Sequence, residues 1–179
     1  MREKKRGGKM VFDTVLPVVM AGVAAVMDLR TARVDNGWIV FCLSVGFVVR
    51  WMSQGLAGIG AFFTGSLFPM IVLGGLFILR MLGPGDIKLF CALGGMMGVR
   101  TVGKCILVSF FLGAGISLAI LISNGSVCQR FQYFIQYIQE LVRSGKSRPY
   151  YRRDMSLPEN FHFTVPVFLS VVLYAGGVY

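Results

Sequence analysis

Long apolar segments recur along the whole chain, separated by short polar connections, and this pattern constrains the fold more than any other feature of the sequence. Hydrophobic residues make up 55% of the 179 residues, the mean hydropathy is +0.70, and only 15% of the residues are charged. A soluble domain carries about 25% charged residues, whereas long apolar segments are typical of transmembrane helices. We therefore predict an all-α, polytopic membrane protein.

Six apolar segments can be distinguished, and they predict one integral-membrane domain that covers residues 1–179. The predicted transmembrane helices cover about 11–27, 38–52, 56–82, 87–99, 102–122 and 163–179. The segment 87–99 is too short to cross the hydrocarbon alone at about 1.5 Å per residue, so we expect neighbouring helices to surround it. Residues 1–10 are predicted to form a basic N-terminal tail.

The polar region over residues 128–160 differs from the apolar segments. Between 128 and 142, apolar residues recur at helical spacing, which predicts one interfacial amphipathic helix on the membrane surface. A basic connection follows at 143–160. The net charge of +10 lies mostly in such connections, where Lys and Arg contact anionic lipid headgroups. We therefore expect membrane lipids, and not nucleic acid, as partners of the basic residues.

The Gly83–Lys88 stretch separates the third apolar segment from the fourth and contains an acidic residue. Gly83 and Gly85 permit unusual backbone conformations, and Pro84 prevents the preceding helix from continuing. Asp86 is then expected at or near the N-terminus of the next helix, where the helix dipole favours a negative charge. Because an acid at the edge of a membrane segment is costly, Asp86 is a candidate functional residue.

A second aspartate, Asp28, ends the first apolar segment. Two predicted crossings separate the connection after the first segment from the connection after the third, so Asp28 and Asp86 are predicted to lie on the same side of the membrane. Two neighbouring carboxyl groups share a proton, and one can then activate water while the other acts as an acid. This is the arrangement of an aspartic protease, and it requires neither a metal nor a cofactor.

The residues alone also permit a structural interpretation, in which Asp86 caps the fourth helix and Asp28 ends the first helix beside Arg30. Other catalytic schemes have less support, because the single histidine, His162, belongs to no catalytic motif and the four cysteines form no C-x-x-C pair. Two functions without peptidase activity also fit the sequence. One is a membrane assembly module of a pilus or secretion system, and the other is a small proton-coupled transporter that uses the two aspartates.

Two sequence motifs resemble those of a known family. Gly83–Asp86 matches the G-x-G-D motif of intramembrane aspartyl proteases, and the segment from Asp28 to Asn36 resembles the D-x-R-x-x-x-I-P-N motif of type 4 prepilin peptidases. The matching positions are Asp28, Arg30, Asn36, Gly83, Gly85, Asp86 and Lys88. The segment His162–Pro166 also resembles the family's late I-P-F-x-P stretch. Asp35 stands where the family has proline. We consider two interpretations, in which it attracts a basic substrate segment or caps the second helix, and we favour the cap.

The resemblance implies a membrane aspartic endopeptidase that removes the basic leader from type IV prepilins or prepilin-like proteins, at the cytoplasmic face of the inner membrane. Asp28 and Asp86 would jointly activate water, and the other matching residues would support them. The expected partner is a protein with a basic leader followed by a hydrophobic helix. The chain resembles the short form of the family, because the paired C-x-x-C motifs of the longer members are absent. Without those motifs, the resemblance gives no basis for expecting N-methyltransferase activity.

Overall fold

Five helices make up the part of the chain that the structure, a computed structural model, describes. The structure describes the backbone of residues 2–79, 81–123 and 162–179. Within these ranges it also describes the side chains from residue 14 onward, except that of residue 121. In chain order the helices are α1 (Arg2–Thr31), α2 (Asn36–Ile78), α3 (Pro84–Met97), α4 (Val99–Ser123) and α5 (Thr164–Ala175). The prediction of an all-α fold is confirmed for these residues. The amphipathic helix and basic connection predicted over 128–160 lie outside them.

Helix α2 is folded back on itself at Gly55. In a straight helix, Phe47 and Phe62 would lie about 22 Å apart along the axis, yet their ring centroids are 5.6 Å apart. Gly55 has φ 60° and ψ −138°, a combination that side chains disfavour and glycine adopts readily. The helix therefore consists of two antiparallel arms, 36–54 and 56–78, which correspond to the separate segments 38–52 and 56–82 that the sequence predicted.

Helix α3 lies at the centre of the described bundle. Its buried residues are Ile87, Leu89, Phe90, Ala92, Leu93, Gly94, Gly95, Met96 and Met97. All of them except the two glycines form one apolar cluster with buried residues of the four other helices. Against α2, the backbones at Gly65 and Gly94 approach so closely that a methyl group on either would collide with the carbonyl of the other. The prediction that neighbours surround this short helix is confirmed.

Three described helices contain a segment long and apolar enough to cross a membrane: Thr14–Thr31, Asn36–Ile78 and Val99–Ile120. Helices α3 and α5 are shorter than the roughly 20 residues that a span needs, so the prediction of six transmembrane helices is not confirmed. Each arm of α2 approaches that length. Because the chain leaves and returns through these two arms, the end of α1 and the start of α3 lie at the same end of the bundle.

Candidate active site

Asp28 lies in the last turns of α1, which ends at Thr31 and not before the aspartate as the sequence predicted. The residue is only 8% exposed, although Leu29 and Arg30 beside it are exposed. After Thr31, Ala32 has a φ of 52°, so the helix cannot continue in its regular form. The carboxylate of Asp28 is therefore carried by a regular helix and buried in the bundle.

The start of α5 supplies two polar partners to Asp28. Thr164 donates a hydrogen bond from Oγ1 to Oδ2 of Asp28 over 2.8 Å. The Nδ1 atom of His162 lies 3.0 Å from the same oxygen. Sequence reasoning did not assign either residue to the site, although the segment His162–Pro166 was recognised as similar to a family motif. The missing information was spatial, because more than 130 residues of chain separate these side chains from Asp28.

Asp86 lies in the first turn of α3 and is half-buried. Gly83 is the N-cap residue with extended backbone, at φ −72° and ψ 149°, and Pro84 occupies the first turn as well. A side chain at position 83 would begin 3.1 Å from Oδ2 of Asp86. The absence of a side chain there leaves room for the carboxylate, which lies at the positive end of the helix dipole as predicted.

A hydrogen bond joins the two sequence motifs. Lys88, one turn into α3, donates from Nζ to Oδ1 of Asn36 over 2.8 Å. Nearby, the Cβ atom of Val34 would lie 3.9 Å from a methyl group added at Gly85. The connection between α1 and α2 therefore packs along the N-terminal turn of α3, and the segment that begins at Asp28 meets the segment that contains Asp86.

Aromatic contacts bring the start of α5 to the same place. The ring of Phe163 lies 6.4 Å from the ring of Phe90 in α3 and 5.1 Å from that of Phe110 in α4, measured between centroids. Phe163 lies between His162 and Thr164, which both contact Asp28. Three helix ends thus converge: the C-terminus of α1 and the N-termini of α3 and α5.

Apart from Asp28 and Asp86, the charged residues around these helix ends are exposed. Arg30 lies in the last turn of α1, where a positive charge interacts favourably with the helix dipole. Arg33 and Lys88 are exposed as well. Asp35 occupies the N-cap position of α2, but its side chain makes no capping hydrogen bond, so the interpretation of its carboxylate as a cap is wrong in that respect.

No three side chains of His, Cys, Asp or Glu come together as possible metal ligands among the residues that the structure describes. Of the four cysteines, Cys42, Cys91 and Cys105 are free thiols, two of them buried in the apolar core. Cys128 lies outside the described residues. The polar groups at the three converging helix ends include two carboxylates, an imidazole, a hydroxyl and the nearby ammonium of Lys88.

Comparison with known proteins identifies the family. The model of the type IV leader peptidase family matches residues 15–118, which is more than half of the chain and includes both motifs. The chain belongs to the type IV leader peptidase family. No curated protein and no solved structure matches the chain significantly.

Membership of the leader peptidase family supports a peptidase function in a membrane and a protein as the substrate. The matched region contains Asp28, Asp86 and the hydrogen-bonded pair Asn36 and Lys88. It ends before α5, so it does not include His162 and Thr164, which the tertiary structure brings into contact with Asp28.

Proposed function

We propose that the protein is a membrane aspartic endopeptidase that removes the basic leader from prepilin-like proteins, with Asp28 and Asp86 as its catalytic residues. The observation that carries the proposal is the hydrogen bond between Lys88 and Asn36, which brings together two motifs that each contain one of these aspartates. Asp28 is buried and Asp86 half-buried at one end of the bundle. Ionisable groups that a membrane protein keeps at such positions are commonly functional.

The proposed reaction needs one ionised and one protonated carboxyl group. The ionised carboxylate accepts a proton from water while the water oxygen attacks the carbonyl carbon of the scissile peptide bond. The protonated carboxyl donates its proton to the carbonyl oxygen. As the tetrahedral intermediate collapses, one of its hydroxyl groups returns a proton to the dyad, the C–N bond breaks, and the amine leaves with a proton from the dyad. We describe the two aspartates as a pair, because strongly coupled groups titrate together.

The proposed substrate has a short basic leader and a hydrophobic helix that lies in the membrane. The site is at the end of the bundle, where α1 ends and α3 begins, so a peptide bond at the membrane boundary can reach it. We propose that this end faces the cytoplasm and that the enzyme resides in the inner membrane. The exposed basic residues Arg30 and Arg33 would contact anionic lipid headgroups there.

Cleavage of a co-expressed prepilin-like protein tests the proposal. We expect Asp28→Asn and Asp86→Asn each to abolish the mobility shift that leader removal causes, because either change removes one member of the dyad. Asp35→Asn serves as the control, since it removes an exposed carboxylate from the same end of the bundle. Normal cleavage by either dyad variant would sink the proposal.

The same experiment separates the alternatives. A membrane assembly module predicts no leader removal by the wild-type protein. A proton-coupled transporter predicts the same, together with proton movement in vesicles that depends on the two aspartates.

A further inference from the structure

Two side chains of α5 contact one oxygen of Asp28. Thr164 donates a hydrogen bond to Oδ2 over 2.8 Å, and Nδ1 of His162 lies 3.0 Å from the same oxygen. Among the residues that the structure describes, both side-chain contacts of this carboxylate fall on Oδ2 and neither on Oδ1. Two contacts on one oxygen restrict the rotation of the carboxylate about its Cβ–Cγ bond.

The surroundings of Thr164 hold its hydroxyl group in place. Thr164 is fully buried at the first residue of α5, and Val167, one turn later, is fully buried as well. Threonine is branched at Cβ, so a packed position leaves few rotamers available. On the other side of the chain, the ring of Phe163 is held between α3 and α4 by its contacts with Phe90 and Phe110. The position of the donor is therefore determined by the packing of three helices.

We propose that His162 and Thr164 are positioning residues for Asp28: they bind Oδ2 and thereby present Oδ1 to the water or substrate. This inference rests on the proposed function. In the tautomer with a proton on Nδ1, His162 donates to the carboxylate, as Thr164 does. Neither side chain needs to touch the substrate. Their effect is to reduce the orientations that the carboxylate samples, which raises the fraction of productive geometries.

A purely structural role predicts a different outcome. If the two contacts only attach α5 to α1, then weakening them lowers thermal stability, and any loss of cleavage follows the loss of folded protein. A positioning role instead lowers kcat of the folded enzyme while KM stays nearly constant, because substrate binding does not depend on the orientation of one carboxylate. Paired variants, one that keeps a hydrogen-bond donor and one that removes or displaces it, separate the two roles.

Thr164→Val and Thr164→Ser form the first matched pair. Valine keeps the shape and removes the donor, whereas serine keeps the donor and removes a methyl group. We expect kcat for leader cleavage to fall at least about tenfold in the valine variant, as for the loss of a hydrogen bond to a charged group, and to stay within about threefold in the serine variant. If the two variants instead fall in proportion to their thermal stability in detergent, the positioning role is wrong.

His162→Asn and His162→Gln form the second pair of variants. This pair tests the inference even if substitutions of Thr164 prevent folding. The amide nitrogen of asparagine can occupy the place of Nδ1, while that of glutamine corresponds to the more distant Nε2. We expect asparagine to retain most of kcat and glutamine to lose it. Equal activity of both variants and the wild type would overturn the inference.

Asp28→Asn, measured in parallel, distinguishes a failure of the positioning role from a failure of the proposed function. If this variant is inactive while Thr164→Val and His162→Gln cleave at the wild-type rate, only the positioning role fails. If Asp28→Asn itself cleaves normally, the proposed function fails as well.

Discussion

Lys88 donates a hydrogen bond from Nζ to Oδ1 of Asn36 across 52 residues of chain, and this contact joins the α1–α2 connection to the first turns of α3. Both residues are exposed, so the bond adds little to stability. Its consequence is geometric. It couples the two segments that carry Asp28 and Asp86, and it therefore affects the relative placement of the two carboxylates.

Removal of this hydrogen bond is expected to reduce the rate of cleavage moderately. Lys88→Met and Asn36→Ala should each lower kcat/KM about two- to fivefold, the factor for a solvent-exposed hydrogen bond. Because both changes remove the same contact, the double variant should be no slower than the slower single variant. The measurement is a double-mutant cycle on leader cleavage, with Lys104→Met as the control for loss of an exposed lysine elsewhere. Strictly additive losses would contradict the coupling.

The two glycines of the G-x-G-D motif are expected to differ in their tolerance of alanine. At Gly83 the added methyl would lie 3.1 Å from Oδ2 of Asp86, so the carboxylate must shift by a few tenths of an ångström. Among the described residues, a methyl group at Gly85 would meet only Val34, at the ordinary distance of 3.9 Å. We expect Gly83→Ala to lower kcat about tenfold and Gly85→Ala to lower it less than about twofold.

This prediction is checked by cleavage assays on both variants after thermal denaturation has shown equal stability. An equal loss of kcat in both variants would contradict this prediction. It would show that alanine in this motif lowers kcat for a reason other than contact with the Asp86 carboxylate.

Gly55 is expected to be essential for the fold of α2. Its φ of 60° is disfavoured by side chains, while no atom of the described residues lies within 4 Å of an added methyl group. Gly55→Ala should therefore destabilise the protein through the backbone alone, by about 1–2 kcal/mol. Gly60→Ala is the matched control, because that glycine also faces open space but lies in the regular second arm. Alanine at position 60 should leave the free energy of unfolding unchanged or raise it slightly.

Thermal denaturation in detergent at one scan rate compares these two variants with the wild type. A lower midpoint for Gly60→Ala than for Gly55→Ala would contradict the role of the positive φ.

Local sequence patterns predicted the elements near the site but not all of their bounds. The apolar segments predicted helices, and the Gly83–Lys88 stretch predicted Asp86 at or near a helix N-terminus. In the structure that helix begins at Pro84 and not at about residue 87, so Asp86 lies within its first turn. The sequence predicted a first helix that ends at about residue 27, because the apolar segment ends there. In the structure the helix continues to Thr31, since backbone hydrogen bonds do not require apolar side chains.

The count of crossings is the clearest case in which hydropathy was insufficient. The segment 87–99 is as apolar as its neighbours, but α3 is buried by protein and not by lipid. Apolar composition does not distinguish these two surroundings, because both exclude water. The short length of the segment predicted that protein surrounds it, and the packing of α2 around α3, with Gly65 against Gly94, confirms that prediction.

The sequence by itself determined a helical membrane protein, its two aspartate motifs and the resemblance to a peptidase family, because these depend on composition, spacing and short local patterns. Only the tertiary structure decided that His162 and Thr164 contact Asp28. A hydrogen bond between residues more than 130 positions apart arises from the packing of α5 against α1, α3 and α4, and no local pattern contains that packing.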